Sequence, residues 1–400
     1  MVSGSDTIPM VTRIYFDHNA TTPAAPEVVE AVSAALSDEY GNPSSVHHFG
    51  QRAKAVLDDA RSAVAALVGG DPSEVVFTSG GTESDNLALR GAAEALEPAG
   101  RRHIVASAIE HEAVVNTVKA LARRGWRTTL VPVGASGIVD PDAVRAVVTD
   151  ETALVSMMHA NNEIGTIQPV AEIAALAHAR GALVHTDAVQ TAGKLRLDVA
   201  TLGVDLLSLS AHKFYGPKGA GALWIRRGTR LVTQMTGGRH ERNRRAGTEN
   251  VPGIVGLGAA ATLAIGKMDA EATRLSALRD RLEAGILATV PETQVNGAAS
   301  PRVANTTNIS FERVEAESLL IALDLEGIAV STGSACSSVT LEPSHVLRAM
   351  GLPPARTQSS IRFSLGTSNT DAEVDRVLQV LPRLVEKLRR LSRPAPGARR

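Results

Sequence analysis

Five short apolar runs between residues 74 and 209 end in residues that could do chemistry. Glu74–Phe77 is followed by Thr78-Ser79-Gly80-Gly81-Thr82-Glu83-Ser84. Two glycines at a helix start leave backbone N–H groups open, and the helix dipole favours an anion there. His103–Ala106 leads to Glu110-His111, and Ala153–Met157 leads to His159-Ala160-Asn161-Asn162-Glu163. Ala182–His185 leads to Thr186-Asp187-Ala188-Val189-Gln190, and Asp205–Leu209 leads to Ser210-Ala211-His212-Lys213. Taken singly, each has an ordinary account. His111 reads as a surface residue, Asn162 as a turn former, Asp187 as a helix cap, Lys213 as a loop charge and the glycines as a capped helix start. Together, five strand ends deliver an anion cradle, an imidazole, an amide, a carboxylate and an amine.

That set meets the needs of pyridoxal phosphate. Its phosphate wants N–H and hydroxyl donors, and its aldehyde condenses with a lysine. Its ring nitrogen wants a carboxylate to keep it protonated, because the protonated ring is the better electron sink. At ~4 Å and an effective dielectric near 20, such a pair is worth about 4 kcal/mol before desolvation. A flat aromatic group can cover the ring face.

The elements that must position these groups can be read from apolar spacing. Strands alternating with helices imply an α/β fold with a mainly parallel sheet flanked by helices. Ligands in such sheets collect beyond the carboxyl ends of the strands. Gln51–Val68 reads as a helix with Ala53, Val56, Ala60, Val64 and Leu67 on one side. Asp371–Leu391 reads as another, bent at Pro382. After about residue 260 the pattern shifts to a long helical stretch, Met268–Ala288, and alternating segments such as Thr307–Phe311 and Ile361–Leu365. The expected layout is a large α/β domain over 14–260 and a smaller α+β domain over 261–392. The N-terminal segment 1–25 joins the smaller domain, and 393–400 is a frayed tail.

Composition narrows the classes. The chain has 400 residues, 44% of them hydrophobic and 21% charged, enough for two or three packed units. Its 41 basic and 42 acidic side chains leave a net charge of −1, which argues against nucleic acid as the main partner. Met1–Arg13 lacks the apolar stretch of a signal peptide, and Val251–Gly266, interrupted by Pro252 and glycines, falls short of ~20 spanning residues. The expectation is a cytoplasmic protein without membrane contact. Cys336 is the only cysteine. No intramolecular disulfide or cysteine-rich zinc site can form, and no metal site is expected. A lone cysteine is usually a small buried hydrophobe. This one lies in Ser331-Thr332-Gly333-Ser334-Ala335-Cys336-Ser337-Ser338-Val339, a small and polar segment that makes a poor core.

The chain resembles cysteine desulfurases of the NifS/IscS type, within the class V aminotransferase-like group of fold-type I PLP-dependent transferases. The similarity runs from about Ile14 to Lys387. It is carried by Tyr15-Phe16-Asp17-His18-Asn19-Ala20-Thr21-Thr22-Pro23, Phe77–Asn86, His159–Gly165, His185–Gln190, Ser210–Gly219, Arg245–Val251, Ser331–Ser337, Leu341–Gly351 and Ser359–Gly366. The resemblance implies that Lys213 carries the cofactor, Asp187 pairs with its ring nitrogen, Gln190 bonds its ring hydroxyl and His111 stacks on the ring. It implies that Gly81, Thr82, Ser210 and His212 hold the phosphate, with Thr248 contributed by the second subunit of a homodimer. Asn162 and Arg362 would face the substrate carboxylate, which an arginine fork fits bidentately. The plainer account of Arg362 is a strand-edge charge.

The implied reaction converts L-cysteine to L-alanine and leaves the sulfur on Cys336 as a persulfide. A sulfur acceptor, such as an iron–sulfur scaffold or a thiolation enzyme, would take it onward. Lys213, Cys336 and His111 would be the catalytic residues. The Cys336 segment resembles the longer-loop group that includes NifS and IscS. Two departures stand out. Gly81 stands where alanine is common, which should loosen that turn, and Arg239-His240-Glu241-Arg242-Asn243-Arg244-Arg245 is denser in charge than the family needs. The plainer reading of that cluster is a solvated loop. A selenocysteine lyase or other β-elimination, and a non-catalytic scaffold, remain competing readings. True transamination would leave the loop thiol without a task.

Overall fold

Apolar runs too short for helices, set between turn residues, become strands, and the 3.6-residue periods become the helices around them. The computed structural model describes residues 13–333 and 343–391. The chain enters on a two-residue strand, β1 (Ile14–Tyr15). Seven strands then build the main sheet. They are β2 (Val75–Thr78), β3 (His103–Ser107), β4 (Arg127–Val131), β5 (Thr152–Ser156), β6 (Leu183–Asp187), β7 (Leu206–Ser210) and β8 (Gly221–Ile225). Their spatial order is β2-β8-β7-β6-β5-β3-β4. β8 runs antiparallel to β2 and β7, and every other neighbouring pair is parallel.

Alternation along each strand divides the apolar residues between two faces. Val75, Phe77, Val105 and Val155 join one core, while Val76, Ile104, Ala106 and Leu154 join the other. Two strands of this sheet escape the sequence reading. β4, Arg-Thr-Thr-Leu-Val, is an edge strand with mostly polar, partly exposed residues, so it shows no apolar run. β8 follows directly on the Gly-rich stretch 216–220 and itself opens on Gly221, so it passes for a continuation of that turn.

The C-terminal half forms a second layer. β9 (Thr293–Val295), β10 (Thr306–Phe311) and β12 (Ser360–Ser364) make an antiparallel sheet in the order β12-β10-β9. β11 (Ile328–Ala329) pairs in parallel with β1, so the N-terminal segment is drawn onto this lobe. Ile14 and Phe16 pack there with Leu282, Ile309, Phe363 and Val377. No break marks the boundary expected near residue 260. One helix, Val251–Thr289, runs through it, with Pro252 in the first turn where proline is tolerated. Met268 packs into the large core and Leu275, Leu278 and Leu282 into the small one. By length and composition this helix could cross a bilayer. Here half of its most apolar stretch is buried, and along its length the helix packs against the helices Pro26–Asp38, His48–Val68 and Asp371–Leu391. The last of these continues through Pro382.

The charged segment 239–245 is not simply a solvated loop. Glu241 is buried, and its carboxylate accepts both Arg61 terminal nitrogens at 2.8 Å and the Phe77 N–H at 2.9 Å. Arg61 also donates to the Val75 carbonyl, and its guanidinium lies 4.4 Å from the Phe77 ring centre. Glu241, Arg242 and Asn243 all adopt left-handed backbone conformations, a turn that the buried ion pair holds in place. Removing one partner of such a pair leaves an uncompensated buried charge. We therefore expect Glu241→Ala to lower stability by about 3–5 kcal/mol, read as a fall in the urea midpoint. An unchanged midpoint would show that the pair is not what holds this turn.

Candidate active site

Parallel pairing of β6 with β7 sets Asp187 level with Ser208. Asp187 is the last residue of β6 and Ser210 the last of β7. A single 3₁₀ turn, Ala211–Lys213, then carries Lys213 off the end of β7. On the other side of β8, the turn after β2 starts the helix Gly81–Leu96. A Cβ on Gly81 would come within 2.8 Å of Val189 Cγ2 and 3.6 Å of Ser210 Cβ. The glycine therefore makes room for Val189, a stiff β-branched neighbour, and draws the helix start against the ends of β6 and β7. Thr82 lies in the first turn of that helix. His111 caps the helix Glu112–Arg123 after β3, its Nδ1 accepting the Ala113 N–H at 3.1 Å. The sheet thus brings Gly81, Thr82, His111, Asp187, Ser210 and Lys213 to one edge.

Burial sets the charges at that edge. Asp187 accepts the Val189 N–H at 2.9 Å, and desolvation, reinforced by the Asp85 charge, pushes its carboxyl up to about 6. Burial also raises Asp85 to about 6 and Glu110 to about 8. Glu110 accepts the Ser107 hydroxyl at 2.6 Å and the Met158 N–H at 2.8 Å. Burial lowers His185 to about 4, and its ring lies between the Ser156 and Ser208 hydroxyls. Sequence reasoning misses Asp85, Glu110 and His185 as members of the site. Each is buried by partners from a different strand.

Asn19, from the N-terminal segment, links the parts. Its carbonyl accepts Lys213 Nζ at 2.7 Å and Gln190 Nε2 at 3.0 Å. Its side-chain oxygen accepts Lys194 Nζ at 3.0 Å and Asn305 Nδ2 at 3.1 Å. Its side-chain nitrogen donates to the Asn162 carbonyl and to Thr306 Oγ1. Lys213 Nζ also donates to the Ala20 carbonyl at 2.9 Å. Gln190 is held at both ends, since its Oε1 accepts Lys194 Nζ at 3.0 Å. Sequence reasoning misses Lys194 too. Burial, with Lys213 and Arg362 nearby, lowers it to about 7. Its only signal in the sequence is its place four residues beyond Gln190, and the structure puts both in the turns that follow β6.

Arg362 stands on β12, at the edge of the smaller sheet, but it is not a solvated charge. It is 2% exposed on β12, bonded through Nη1 to the Asn162 carbonyl at 3.0 Å and through Nη2 to Asp17 Oδ1 at 2.7 Å. Asp17 thus occupies part of the fork that a substrate carboxylate would use. His212 faces Thr21, with Nδ1 3.1 Å from its hydroxyl oxygen, and burial lowers it to about 4, so its ring is neutral at pH 7. Thr248 is exposed, in a segment tethered by the Arg245–Glu83 pair. Its expected role concerns a second copy of the chain. Cys336 lies outside the described residues. Among the described residues no cluster of metal-ligating side chains occurs. A cavity of about 600 Å³ borders Lys213, Lys194 and the helix Val251–Thr289, but Asp187, Gly81, Thr82 and His111 do not line it.

The residues fit pyridoxal phosphate. An amine and a buried carboxylate stand at the ends of adjacent strands, and a helix start stripped of Cβ atoms at Gly80 and Gly81 faces Ser210. A cationic ring nitrogen would offset the burial that raises Asp187, and the N–H groups of Gly81 and Thr82 suit a phosphate.

Comparison with known proteins agrees with this geometry. A family model described as aminotransferase class-V matches residues 14–377. A protein of Dictyoglomus turgidum named cysteine desulfurase IscS is 49% identical over 383 residues, 96% of this chain and 97% of its own. A solved structure titled NifS-like protein superposes with a TM-score of 0.88 at 38% identity, covering 94% of this chain and all of the other. Another, titled SspA in complex with cysteine, gives 0.78 at 35% identity over 88% of this chain and 98% of its own. With its sheet order, its strand-end residues and these likenesses in agreement, the chain belongs to the class-V aminotransferase family.

Proposed function

We propose that this protein is a cysteine desulfurase that uses pyridoxal phosphate to convert L-cysteine to L-alanine. The observation that carries the reading is the placement of Lys213 and Asp187 at the ends of adjacent parallel strands, in a chain about half identical to a named cysteine desulfurase. Bound pyridoxal phosphate supplies an electron sink for the charge left when the substrate Cα loses a proton.

The chain's own groups do the rest. Asp187 holds a proton on the ring nitrogen. Gly81, Thr82, Ser210 and His212 would hold the phosphate, Gln190 would bond the ring hydroxyl and His111 would lie against the ring. The Lys213 amine anchors the coenzyme and takes the Cα proton of the substrate. Arg362 and Asn162 receive the substrate carboxylate, with Asp17 releasing part of the guanidinium as it enters. Cys336 attacks the substrate sulfur as a thiolate, the form that is nucleophilic. As the S–S bond forms, the substrate Cβ–S bond breaks and its electron pair stays with carbon; the sulfur remains on Cys336 as a persulfide, and protons delivered to Cβ and back to Cα complete alanine. The persulfide then passes to a protein acceptor, such as an iron–sulfur scaffold or a thiolation enzyme.

Two copies of the chain complete the site in this reading, with Thr248 reaching the partner's phosphate. Supporting it, Val29, Leu36, Tyr40, Val46 and Phe49 are exposed near one another in sequence, and the Tyr40 and Phe49 rings stack at 5.4 Å. Sedimentation should give the mass of two chains; a single-chain mass would contradict it.

Purified protein loaded with pyridoxal phosphate should absorb in the visible, change on addition of L-cysteine, and release alanine and sulfide. Lys213→Ala should abolish that visible band and the turnover. Cys336→Ser should keep the band and lose alanine release. Full turnover in Cys336→Ser would refute its role and favour a β-elimination that needs no thiol. Asp187 is charged above about pH 6 and neutral below it. The affinity of the cofactor-free protein for pyridoxal phosphate should therefore fall as pH drops through 6, by about tenfold per ~1.4 kcal/mol of lost pairing. Asp187→Asn should bind weakly and flatten this pH dependence. An identical pH profile in Asp187→Asn would remove Asp187 from the role.

A further inference from the structure

The turn that carries Asn162 also carries Glu163, a residue the reaction above does not use. Glu163 is 2% exposed. Its backbone is fixed on both sides: its N–H donates to Asn161 Oδ1 at 2.8 Å, and its carbonyl accepts Asn308 Nδ2 at 3.3 Å. A carboxylate buried this deeply is costly unless it is given donors, and burial pushes this carboxyl up while Ser344, His345 and Arg362 oppose the rise.

Its partners lie at the two described ends of segment 334–342, the stretch that contains Cys336. At the far end, Ser344 Oγ donates to Glu163 Oε2 at 2.5 Å. At the near end, Gly333 packs so closely that a Cβ there would come within 2.8 Å of the same oxygen. Gly333 has φ +92°, a left-handed conformation that glycine adopts freely. Each end has a second tie to the site. Ser331, two residues before Gly333, exchanges backbone hydrogen bonds with Arg362, and its hydroxyl accepts the Gly333 N–H at 3.0 Å. His345 Nε2 lies 2.9 Å from the Glu110 carbonyl, one residue from His111.

We propose that Glu163 is a positioning residue for the sulfur-transfer step, a single buried carboxylate that fixes both ends of the segment bearing Cys336 to the turn bearing Asn162. Cys336 is only three residues from Gly333 and eight from Ser344. A chain of that length reaches at most ~3.5 Å per residue, so where its ends are fixed limits where the thiol can go. Glu163 touches neither substrate nor coenzyme in this scheme and acts through the two ends it holds. The proposal rests on the reaction assigned above, and its test separates the two.

The test compares Glu163→Ala, Glu163→Gln and Ser344→Ala with the unaltered protein, all loaded with pyridoxal phosphate. Amide hydrogen exchange reads the clamp without reference to activity. In Glu163→Ala, peptides covering Gly333 and 344–347 should exchange about tenfold faster, while peptides of β6 stay unchanged. Alanine release should fall about tenfold in kcat with little change in the KM for L-cysteine. The cysteine-induced absorbance change should persist, and Glu163→Gln, which keeps an acceptor of the same shape, should recover much of the rate. Unchanged exchange at Gly333 and Ser344 would overturn the clamp, and unchanged kcat would overturn the positioning role. Should Glu163→Ala fail to fold, Ser344→Ala decides. A lowered kcat with the visible band intact supports the proposal, and an unaltered kcat refutes it. If the unaltered protein releases no alanine from cysteine, the assigned reaction fails, while the exchange data still decide whether Glu163 holds the two ends.

Discussion

The arrangement depends on one buried asparagine. Asn19 is 1% exposed and spends every polar atom on a different part of the molecule. Its carbonyl receives Lys213 and Gln190, its side-chain oxygen receives Lys194 and Asn305, and its nitrogen atoms reach Asn162, Thr306 and Ser364. The N-terminal segment, the ends of the main sheet and the smaller antiparallel sheet therefore meet at one side chain. A fully satisfied buried network of this kind fixes geometry because any displacement leaves a desolvated donor or acceptor unpaired. The amine that would carry the coenzyme is held by this network rather than by its own short turn.

A second layer of polar groups lies under the first. Asp85, Glu110 and Asp187 are three buried carboxyls, each pushed above its ordinary value by desolvation, with His185 neutral among them. Only Asp187 stands at a strand end where a ligand could meet it. Crowding acids beneath one that must stay charged is unfavourable without a cation, and a protonated coenzyme ring is a cation of suitable size. The same logic applies to Arg362, whose fork is shared between Asp17 and the Asn162 carbonyl and whose Nε is buried without a hydrogen bond. Asp187 reads as half of a pair, and Arg362, already paired with Asp17, keeps one nitrogen unbonded.

The strand ends are legible in the sequence because a buried parallel strand is a short apolar run, and the residues just beyond it are polar for a reason. Asp187, His111, Ser210 and Lys213 all fall at such ends. β10 and β12 are legible as well, as the alternating runs Thr307–Phe311 and Ile361–Leu365. The features that escape depend on partners far apart in the chain. Asp17 and Arg362 are 345 positions apart, Asn19 and Thr306 are 287 apart, and Glu163 and Ser344 are 181 apart. No periodicity reports such pairings. β4 escapes because an edge strand need not be apolar, and Glu241 because the basic residues around it suggest a solvated loop.

Two partly buried amines, Lys213 and Lys194, share Asn19, and burial leaves Lys194 near 7, basic enough and neutral enough to compete for an aldehyde. Only Lys213 stands at the strand end beside Asp187, so the proposed function assigns the coenzyme to it. Borohydride treatment of the protein loaded with pyridoxal phosphate, with peptide mapping afterwards, identifies the amine that holds it. A pyridoxyl group on the peptide containing Lys213 is the expected result. A group on Lys194 instead, or none on either lysine, would contradict the assignment on which every other role depends.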